Sequence, residues 1–468
     1  MTDDICFRTA TDLRRLIASR QLSCREVVDA HIARIEAVDP ALNAIVTEAF
    51  EFGRDCADDL DRRRGLDAPL AGLPIAHKDL VATRGIRTTY GSPLYADHVP
   101  TTDDRIIQRM RSAGAVTIGK TNAPEFGAGS QTFNRVFGVT RNPYDPAKTC
   151  GGSSGGAAVA LAARLIPVAD GSDTGGSLRN PAAFCNVIGF RPSPGRVPGG
   201  DPWSDLSTAG PMARTVDDVA LLFSVLAGPD GSVPNALPEP GSAFRDVPPA
   251  EIRGMRIAVS EDFGGLPVQR PVRQAIRALA DRLRDAGADV VEAAPDLRNA
   301  RRIFHVLRAT GFRRRFGPMS EADKAELKDT IRWNLEAGLD LTLADYDWVY
   351  PARAALVARV GEFFQDHDLL IGPTTQVLPF DHGTDWVREI EGRPMATYIE
   401  WMESCSWITV TCCPALSLPA GFSEDGLPIG AQLIGPLRGD AFVLRAAKAV
   451  EAITGYADQV PDSPPEVG

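Results

Sequence analysis

The sequence is poor in lysine and histidine. Of its 50 lysine and arginine residues only six are lysine, at positions 78, 120, 148, 324, 328 and 448, and there are six histidines. Neither the histidines nor the eight cysteines have the spacing of a metal site. We therefore expect no metal and no other cofactor, so that the chemistry must come from the protein's own side chains.

Long apolar runs and an excess of positive charge are also absent. No stretch reaches the roughly 18 apolar residues that a membrane-spanning helix needs, and the acidic first residues, Met1 to Asp4, are unlike a signal peptide. The net charge of −11 argues against a nucleic-acid-binding surface. Cysteines without a disulfide or zinc pattern are typical of the reducing cytoplasm. We expect a cytoplasmic monomer or homodimer that acts on a small molecule, with no nucleic-acid or membrane partner.

One of the few lysines follows an apolar segment. Residues 70–76 predict a buried strand, and Lys78 lies at its end. Burial lowers the pKa of a lysine, and a neutral lysine can accept a proton, whereas an arginine keeps its charge. Lys78 is therefore a candidate general base. The alternative is a lysine whose side chain extends from the strand end into solvent.

Two glycine-rich runs supply serines that such a base could activate. Ser153 lies in residues 151–156, and Ser177 ends the run 171–177. Glycines allow tight turns that direct several N–H groups into one space, and the helix predicted after each run adds its positive end. This is the geometry of an oxyanion hole, and a serine beside a base is a potential nucleophile. The alternative is two tight turns in a large sheet.

Two further motif matches lack the context that they need. Residues 151–155 fit the G-x-S-x-G nucleophile elbow, but they follow a proline-containing loop, whereas that elbow follows a strand. Residues 114–121 fit the Walker A pattern, but the β-forming residues 115–118 predict a buried strand in place of a phosphate-binding turn. We therefore predict neither an α/β-hydrolase elbow nor a nucleotide site.

Short apolar strands alternate with helices along the chain, which is typical of an α/β layer fold. Helices are predicted near the N-terminus at 11–19, 25–38 and 42–64. Strands are predicted at 73–76, 115–118, 166–169, 187–190, 256–259, 289–291, 369–371 and 429–434.

Several of these stretches together resemble the amidase signature family. The resemblance lies in residues 71–79, 119–122, 151–156, 171–177 and 190–193, and it resumes at 416–421 and 426–432. It covers most of the chain, and the block 151–191 is its most specific part. It implies a single α/β domain over 1–468, in which a large, mixed, twisted β-sheet is covered by helices. Within it we expect an N-terminal helical segment at 1–65 and a catalytic core at 71–215.

The resemblance also assigns roles to residues. It implies that Ser177 is the nucleophile, that Ser153 bridges to it in a cis conformation, and that Lys78 is the base of a Ser–Ser–Lys triad. The expected oxyanion hole consists of the backbone amides of Thr174, Gly175, Gly176 and Ser177. The expected supporting residues are Asp173, Arg179 and Ser154. The chain departs from the family pattern at His77, Leu80 and Arg191, and none of these departures removes a catalytic group.

Residues 300–405 match the family least, so we expect them to determine substrate specificity. They are rich in aromatic residues, which form either core or the walls of a pocket for a flat or apolar group. The predicted substrate pocket consists of Gly127, Ala128, Thr374, Tyr346, Trp348 and Trp401.

These features predict an amide (C–N) bond hydrolase that forms an acyl-enzyme and acts on a small aryl or bulky apolar amide. The same machinery could cleave a carbamate or a urea. It could also be the amidase subunit of a glutamine-dependent tRNA amidotransferase, which belongs to the same family. A non-catalytic binding protein on this fold is a third class, and the intact Lys78, Ser153 and Ser177 argue against it.

Overall fold

The structure is a computed structural model that describes residues 2–62, 66–199, 206–456, 459 and 461. Its α-helices are α1 (Thr2–Phe7), α2 (Ala10–Ala18), α3 (Cys24–Val38), α4 (Phe50–Arg62), α5 (Arg105–Ser112), α6 (Gly155–Ala162), α7 (Arg179–Phe184), α8 (Val216–Leu226), α9 (Arg270–Asp285), α10 (Ala300–Phe316), α11 (Glu321–Glu326), α12 (Asp329–Leu339), α13 (Leu343–Asp366), α14 (Glu403–Thr409) and α15 (Asp440–Thr454).

The strands are β1 (Ile45–Glu48), β2 (Pro74–Lys78), β3 (Val116–Thr121), β4 (Phe133–Asn134), β5 (Gly138–Val139), β6 (Val168–Asp173), β7 (Ile188–Arg191), β8 (Thr208–Ala213), β9 (Arg256–Val259), β10 (Asp289–Glu292), β11 (Leu369–Pro373), β12 (Glu389–Ile390), β13 (Arg393–Pro394), β14 (Ala415–Phe422) and β15 (Pro428–Ile434).

A mixed sheet of eight strands forms the centre of the molecule. Its order is β10-β9-β11-β15-β14-β7-β8-β6. The three strands at one end are parallel, and the remaining pairs are antiparallel. Strand β15 is buried along its whole length, as expected for a central strand covered on both faces. This single large sheet with its covering helices confirms the predicted α/β fold class.

A second, three-stranded sheet has the order β1-β3-β2. Strands β2 and β3 are parallel, and β1 is antiparallel to β3. The continuous helix predicted at 42–64 was wrong, because Ile45–Glu48 is a strand and the helix begins only at Phe50. The β-branched run at 45–47 favours a strand, and pairing with β3 satisfies its backbone. The last residues of the predicted N-terminal segment, 63–65, lie outside the described residues.

The buried helix α6 contacts strands of both sheets, β2 and β3 of the smaller one and β6 and β8 of the larger one. All eight of its residues are buried. At its start, a Cβ on Gly156 would lie 2.4 Å from the backbone nitrogen of Asn122, so only glycine allows this close approach. Two residues just before α6, Ser153 and Ser154, contact Lys78 at the end of β2.

Strands β2 and β3 occur where the sequence predicted them, within three residues at each end, and β6 begins two residues and ends four residues later than predicted. Residues 116–121 form a fully buried strand, which confirms that the Walker A match has no phosphate-binding turn. Strands β8 and β14 were not predicted. Among the described residues, no helix has the length and apolar character needed to cross a membrane.

Candidate active site

Lys78 is the last residue of β2 and is fully buried. Its Nζ donates to the Oγ atoms of Ser153 and Ser154, each at 2.8 Å, and to Ser172 Oγ at 3.2 Å. Within the described part of the chain, no carboxylate lies within 4.0 Å of this ammonium. Burial lowers the pKa of Lys78 to about 7. The side chain therefore does not reach solvent, and its neutral form is accessible at physiological pH.

A buried carboxylate fixes the end of β2 against β6. Asp170 accepts from the Lys78 backbone N–H at 3.2 Å and lies 2.7 Å from Nδ1 of His77. The other ring nitrogen of His77 lies 3.0 Å from Thr117 Oγ1. Burial lowers the pKa of His77. His77 thus belongs to the framework that orients the strand carrying Lys78, on the face opposite the lysine side chain.

The first serine run approaches Lys78 through a tight turn. The Gly152–Ser153 peptide bond is cis, as the family resemblance implies. Gly151 has a φ of +74°, and a Cβ there would lie 2.4 Å from Asn180 Oδ1, so this position favours glycine. The Ser154 N–H donates to the Ser177 carbonyl at 3.2 Å. This bond holds the two serine runs side by side.

The second run leads from β6 into α7 and carries Ser177, which is half-buried. The backbone N–H groups of Thr174, Gly175 and Ser177 have no acceptor among the described residues. The Gly176 N–H instead donates to Asp173 Oδ1 at 2.8 Å. Of the four amides predicted for the oxyanion hole, three therefore donate to no acceptor in the described structure, and the fourth fixes the turn.

Asp173 is the centre of a buried ion-pair network below this turn. It accepts from Nε of Arg179 at 3.0 Å and from its Nη2 at 2.9 Å, and it lies 3.4 Å from Arg191 Nη1. The two guanidinium groups hold the pKa of the Asp173 carboxyl well below its usual range despite burial. Arg179 also donates to the Cys405 carbonyl at 3.1 Å, so the network fixes the Ser177 turn to α14.

Ser154, predicted only as a supporting residue, contacts Lys78 as closely as Ser153 does. Two further residues, Ser172 and Asp170, were not predicted. Their positions carried a signal, because residues two apart on a strand point to the same face and Ser172 lies within a glycine–serine run. What the sequence did not show is that β6 would pack beside β2.

A cavity of about 650 Å³ lies beside the serine turns. It is lined by aromatic, polar and charged side chains, including Phe133, Lys328, Trp386, Tyr398 and Trp401, and by the segment 129–131. The Gln131 backbone lies 3.0 Å from a Cβ built on Gly152, so one wall of the cavity contacts the turn that precedes Ser153. A second cavity, of about 620 Å³, has Leu80 and Ser172 in its lining.

The residues predicted for the substrate pocket do not all lie together. Trp401 lines the 650 Å³ cavity, and a Cβ on Gly127 would lie 3.5 Å from Ser153 Oγ. Thr374 is buried, with its hydroxyl 3.0 Å from Ser417 Oγ. Ala128 is buried in a small apolar cluster.

The two remaining predicted pocket residues, Tyr346 and Trp348, lie on α13. The Thr310 hydroxyl is 3.4 Å from the Tyr346 hydroxyl, and the Arg302 guanidinium lies 3.9 Å above the Trp348 ring. Substrate contact by these two residues stays a prediction. Within the described ranges, no group of three or more His, Cys, Asp or Glu side chains is arranged to hold a metal ion.

Comparisons with known proteins identify the family of this chain. The family model Amidase matches residues 26–444. The chain belongs to the amidase signature family. It is 35% identical to a glutamyl-tRNA(Gln) amidotransferase subunit of Roseiflexus sp. (strain RS-1), over 98% of this chain and 99% of that protein. As a member of this family it is an enzyme that acts on C–N bonds.

Two solved structures show how this amidase signature chain relates to other members. A bacterial aryl acylamidase of the family superposes with a TM-score of 0.87 and 30% identity, covering 97% of this chain and 98% of that one. The corresponding glutamyl-tRNA(Gln) amidotransferase subunit of Thermotoga maritima has a TM-score of 0.76 and 25% identity, covering 100% of this chain and 98% of that one. The similarity therefore extends over nearly the whole length in both cases.

Proposed function

We propose that this chain is an amide hydrolase in which Ser177 is the nucleophile, Ser153 relays protons and Lys78 is the general base. The observation that carries the proposal is the environment of the Lys78 ammonium, which is fully buried and bonded to three serine hydroxyls. Burial favours the neutral amine. A neutral amine beside hydroxyl groups has the arrangement of an activated serine nucleophile.

In the first half of the reaction, Lys78 Nζ accepts the proton of Ser153 Oγ, and Ser153 accepts that of Ser177. Ser177 Oγ bonds to the amide carbon, and the carbonyl electron pair moves to oxygen. The amides of Thr174, Gly175 and Ser177, which have no acceptor of their own in the described structure, are available to stabilise this oxyanion. The C–N bond then breaks as the oxyanion reforms the carbonyl, Ser153 gives a proton to the leaving nitrogen, and Lys78 returns its proton to Ser153.

Water completes the cycle. It attacks the ester carbon of the acyl-enzyme while the same relay removes its proton, and the ester C–O bond breaks to release the acid and restore Ser177. Arg179 and Asp173 do not take part in these transfers. Their role is to hold the turn that presents Ser177 and the amides, which lowers the cost of organising the site during reaction.

We infer a small aryl or bulky apolar amide as substrate, with specificity set by residues within 300–405. The aromatic side chains that line the cavity beside the serine turns support this, because such walls bind flat apolar groups. The resemblance to the aryl acylamidase supports it as well. The specific observation that favours the role of a tRNA-amidotransferase component is the 35% identity to the Roseiflexus protein. A carbamate or urea substrate would use the same residues.

The test is a kinetic comparison on the purified chain alone. We expect kcat/KM to be higher for an acyl anilide than for acetamide or glutamine, because binding energy from the ring helps to orient the carbonyl. Ser177→Ala should lower turnover by at least about 10³-fold. The exposed Ser242 offers a matched serine-to-alanine control that should leave turnover unchanged.

Each substrate class tests one of the alternative functions. Equal or better efficiency on glutamine than on the anilide would favour the amidotransferase role. Faster cleavage of an aryl carbamate than of the matching anilide would favour a carbamate hydrolase. Hydrolysis that survives in Ser177→Ala would overturn the assignment of the nucleophile.

A further inference from the structure

The 650 Å³ cavity contains a lysine that the reaction does not use. Lys328 immediately precedes α12, and its ammonium lies 4.0 Å from the centre of the Phe133 ring. Among the described residues, no carboxylate oxygen lies within 4.0 Å of this ammonium, and its Nζ donates no hydrogen bond. Lys324, four residues earlier, differs in this respect, because its Nζ is 2.8 Å from Glu321 Oε1.

The carboxylates that line the same cavity have other partners or lie farther from Lys328. Glu125 accepts from Ser92 Oγ at 2.6 Å and from the Lys328 backbone N–H at 2.9 Å. Asp329 pairs with Arg332. Asp385 is exposed. Burial lowers the pKa of Lys328 to about 8, while the charges of Glu125, Asp385 and Asp329 act to raise it. At neutral pH the side chain is therefore still mostly protonated.

The position of Lys328 relative to the serine turns is set by two glycines. A Cβ on Gly129 would lie 3.5 Å from Lys328 Nζ, and one on Gly127 would lie 3.5 Å from Ser153 Oγ. Two residues span at most about 7 Å and each Cβ extends about 1.5 Å from its Cα, so the ammonium lies within about 17 Å of that hydroxyl. Gly129 lines the cavity, whereas Gly127 packs against Leu80, 2.9 Å from a Cβ built on the glycine. One short segment of chain therefore links the Lys328 site to the turn that carries Ser153.

We propose that Lys328 binds a carboxylate at the remote end of the substrate, so that this chain prefers amides that carry an anionic group away from the scissile bond. A cation in a cavity with several aromatic walls, with no carboxylate oxygen of the described residues within 4.0 Å, is suited to a carboxylate. Phe133 shapes this site by holding the ammonium over its ring. The link to turnover rests on the proposed amide hydrolase, but the binding of the carboxylate does not.

The experiment measures binding by calorimetry in the Ser177→Ala protein, so it needs no hydrolysis. The probes are ω-phenylalkanoates with chains of three to eight carbons, each compared with the methyl ketone of the same length. For the best chain length, the carboxylate should bind at least about tenfold more tightly than its ketone, as expected for a hydrogen bond to a charged group. Adding Lys328→Met should remove this preference while ketone binding stays within about twofold.

Two variants control for charge and for folding. Lys328→Arg keeps the cation and should keep most of the preference, and Lys324→Met removes a nearby lysine and should leave the preference intact. Retained ketone binding shows that the Lys328→Met cavity is folded. The proposal is overturned if no carboxylate binds better than its ketone, or if Lys328→Met weakens both probes equally or neither. Failure of the hydrolase proposal would appear separately, as absence of turnover in the wild-type chain.

Discussion

The ends of β2 and β3 each carry a fully buried lysine, and the two lysines have different surroundings. Lys120 Nζ donates to the Val81 carbonyl at 2.5 Å and to Thr83 Oγ1 at 2.8 Å, whereas Lys78 contacts three serine hydroxyls. Burial lowers the pKa of both, to about 8 for Lys120 and about 7 for Lys78.

Burial alone therefore does not distinguish a base from a structural lysine. The Val81 carbonyl can only accept a hydrogen bond, and the Thr83 hydroxyl donates to that carbonyl at 3.1 Å. A serine hydroxyl, by contrast, can donate its proton to a neutral amine. Lys120 holds the loop that contains Val81 and Thr83. Lys78 contacts Ser154, whose backbone N–H donates to the Ser177 carbonyl. We therefore expect a substitution at Lys78 to reduce activity and the same substitution at Lys120 to reduce stability.

The largest difference is expected from lysine-to-arginine changes. Lys78→Arg should lower kcat/KM by at least about 10²-fold, because arginine keeps its charge and cannot act as the base. Lys120→Arg should mainly lower the melting temperature, since overpacking a buried site costs about 1–3 kcal/mol, while the activity of the folded protein stays within about threefold of wild type. Steady-state kinetics and thermal melts of both variants provide the measurement.

Equal loss of activity in the two variants would contradict the distinction between Lys78 as a base and Lys120 as a structural lysine. A Lys78→Arg protein with near-wild-type turnover would contradict it as well. In that case the contacts of Lys78 with the serines would serve only to stabilise the fold.

A smaller effect is expected from pH. Lys78 has a lowered pKa of about 7, and the base must be neutral, so kcat/KM should be constant above this pKa and fall about tenfold per pH unit below it. The profile is measured with a neutral anilide, which does not itself titrate. Lys120→Arg should leave the midpoint unchanged. A rate that stays constant down to a pH of about 5, well below that pKa, would contradict a lysine base.

The sequence predicted the contact between Lys78 and Ser153, but not the residues around it. Lys78, Ser153 and Ser177 were proposed as catalytic because a poor nucleophile needs a base and a flexible, glycine-rich turn, and these requirements appear as local patterns. Asp170 and Ser172 were missed, because their importance depends on β6 packing beside β2, and no local pattern specifies which strands of two different sheets become neighbours.

In the fold, too, the predictions failed where tertiary contacts, and not local patterns, decide the structure. Strand β1 was assigned to a helix, since four residues are too few for periodicity to decide, and its pairing with β3 settles the conformation. The predicted contribution of Gly176 to the oxyanion hole did not anticipate its bond to Asp173. Lys328 carried no sequence signal, because a lysine at the start of a helix is ordinarily solvated and only the three-dimensional structure shows its cavity.

The rate and site of labelling by a fluorophosphonate, followed by peptide-mapping mass spectrometry, show whether Lys78 activates Ser177. We predict a single adduct on Ser177, whose formation slows below a pH of about 7, is lost in Lys78→Ala and persists in Lys120→Ala. An adduct on Ser153 or on a cysteine would contradict the assignment of Ser177 as the nucleophile. Labelling of Ser177 at an unchanged rate in Lys78→Ala would contradict the assignment of Lys78 as the base.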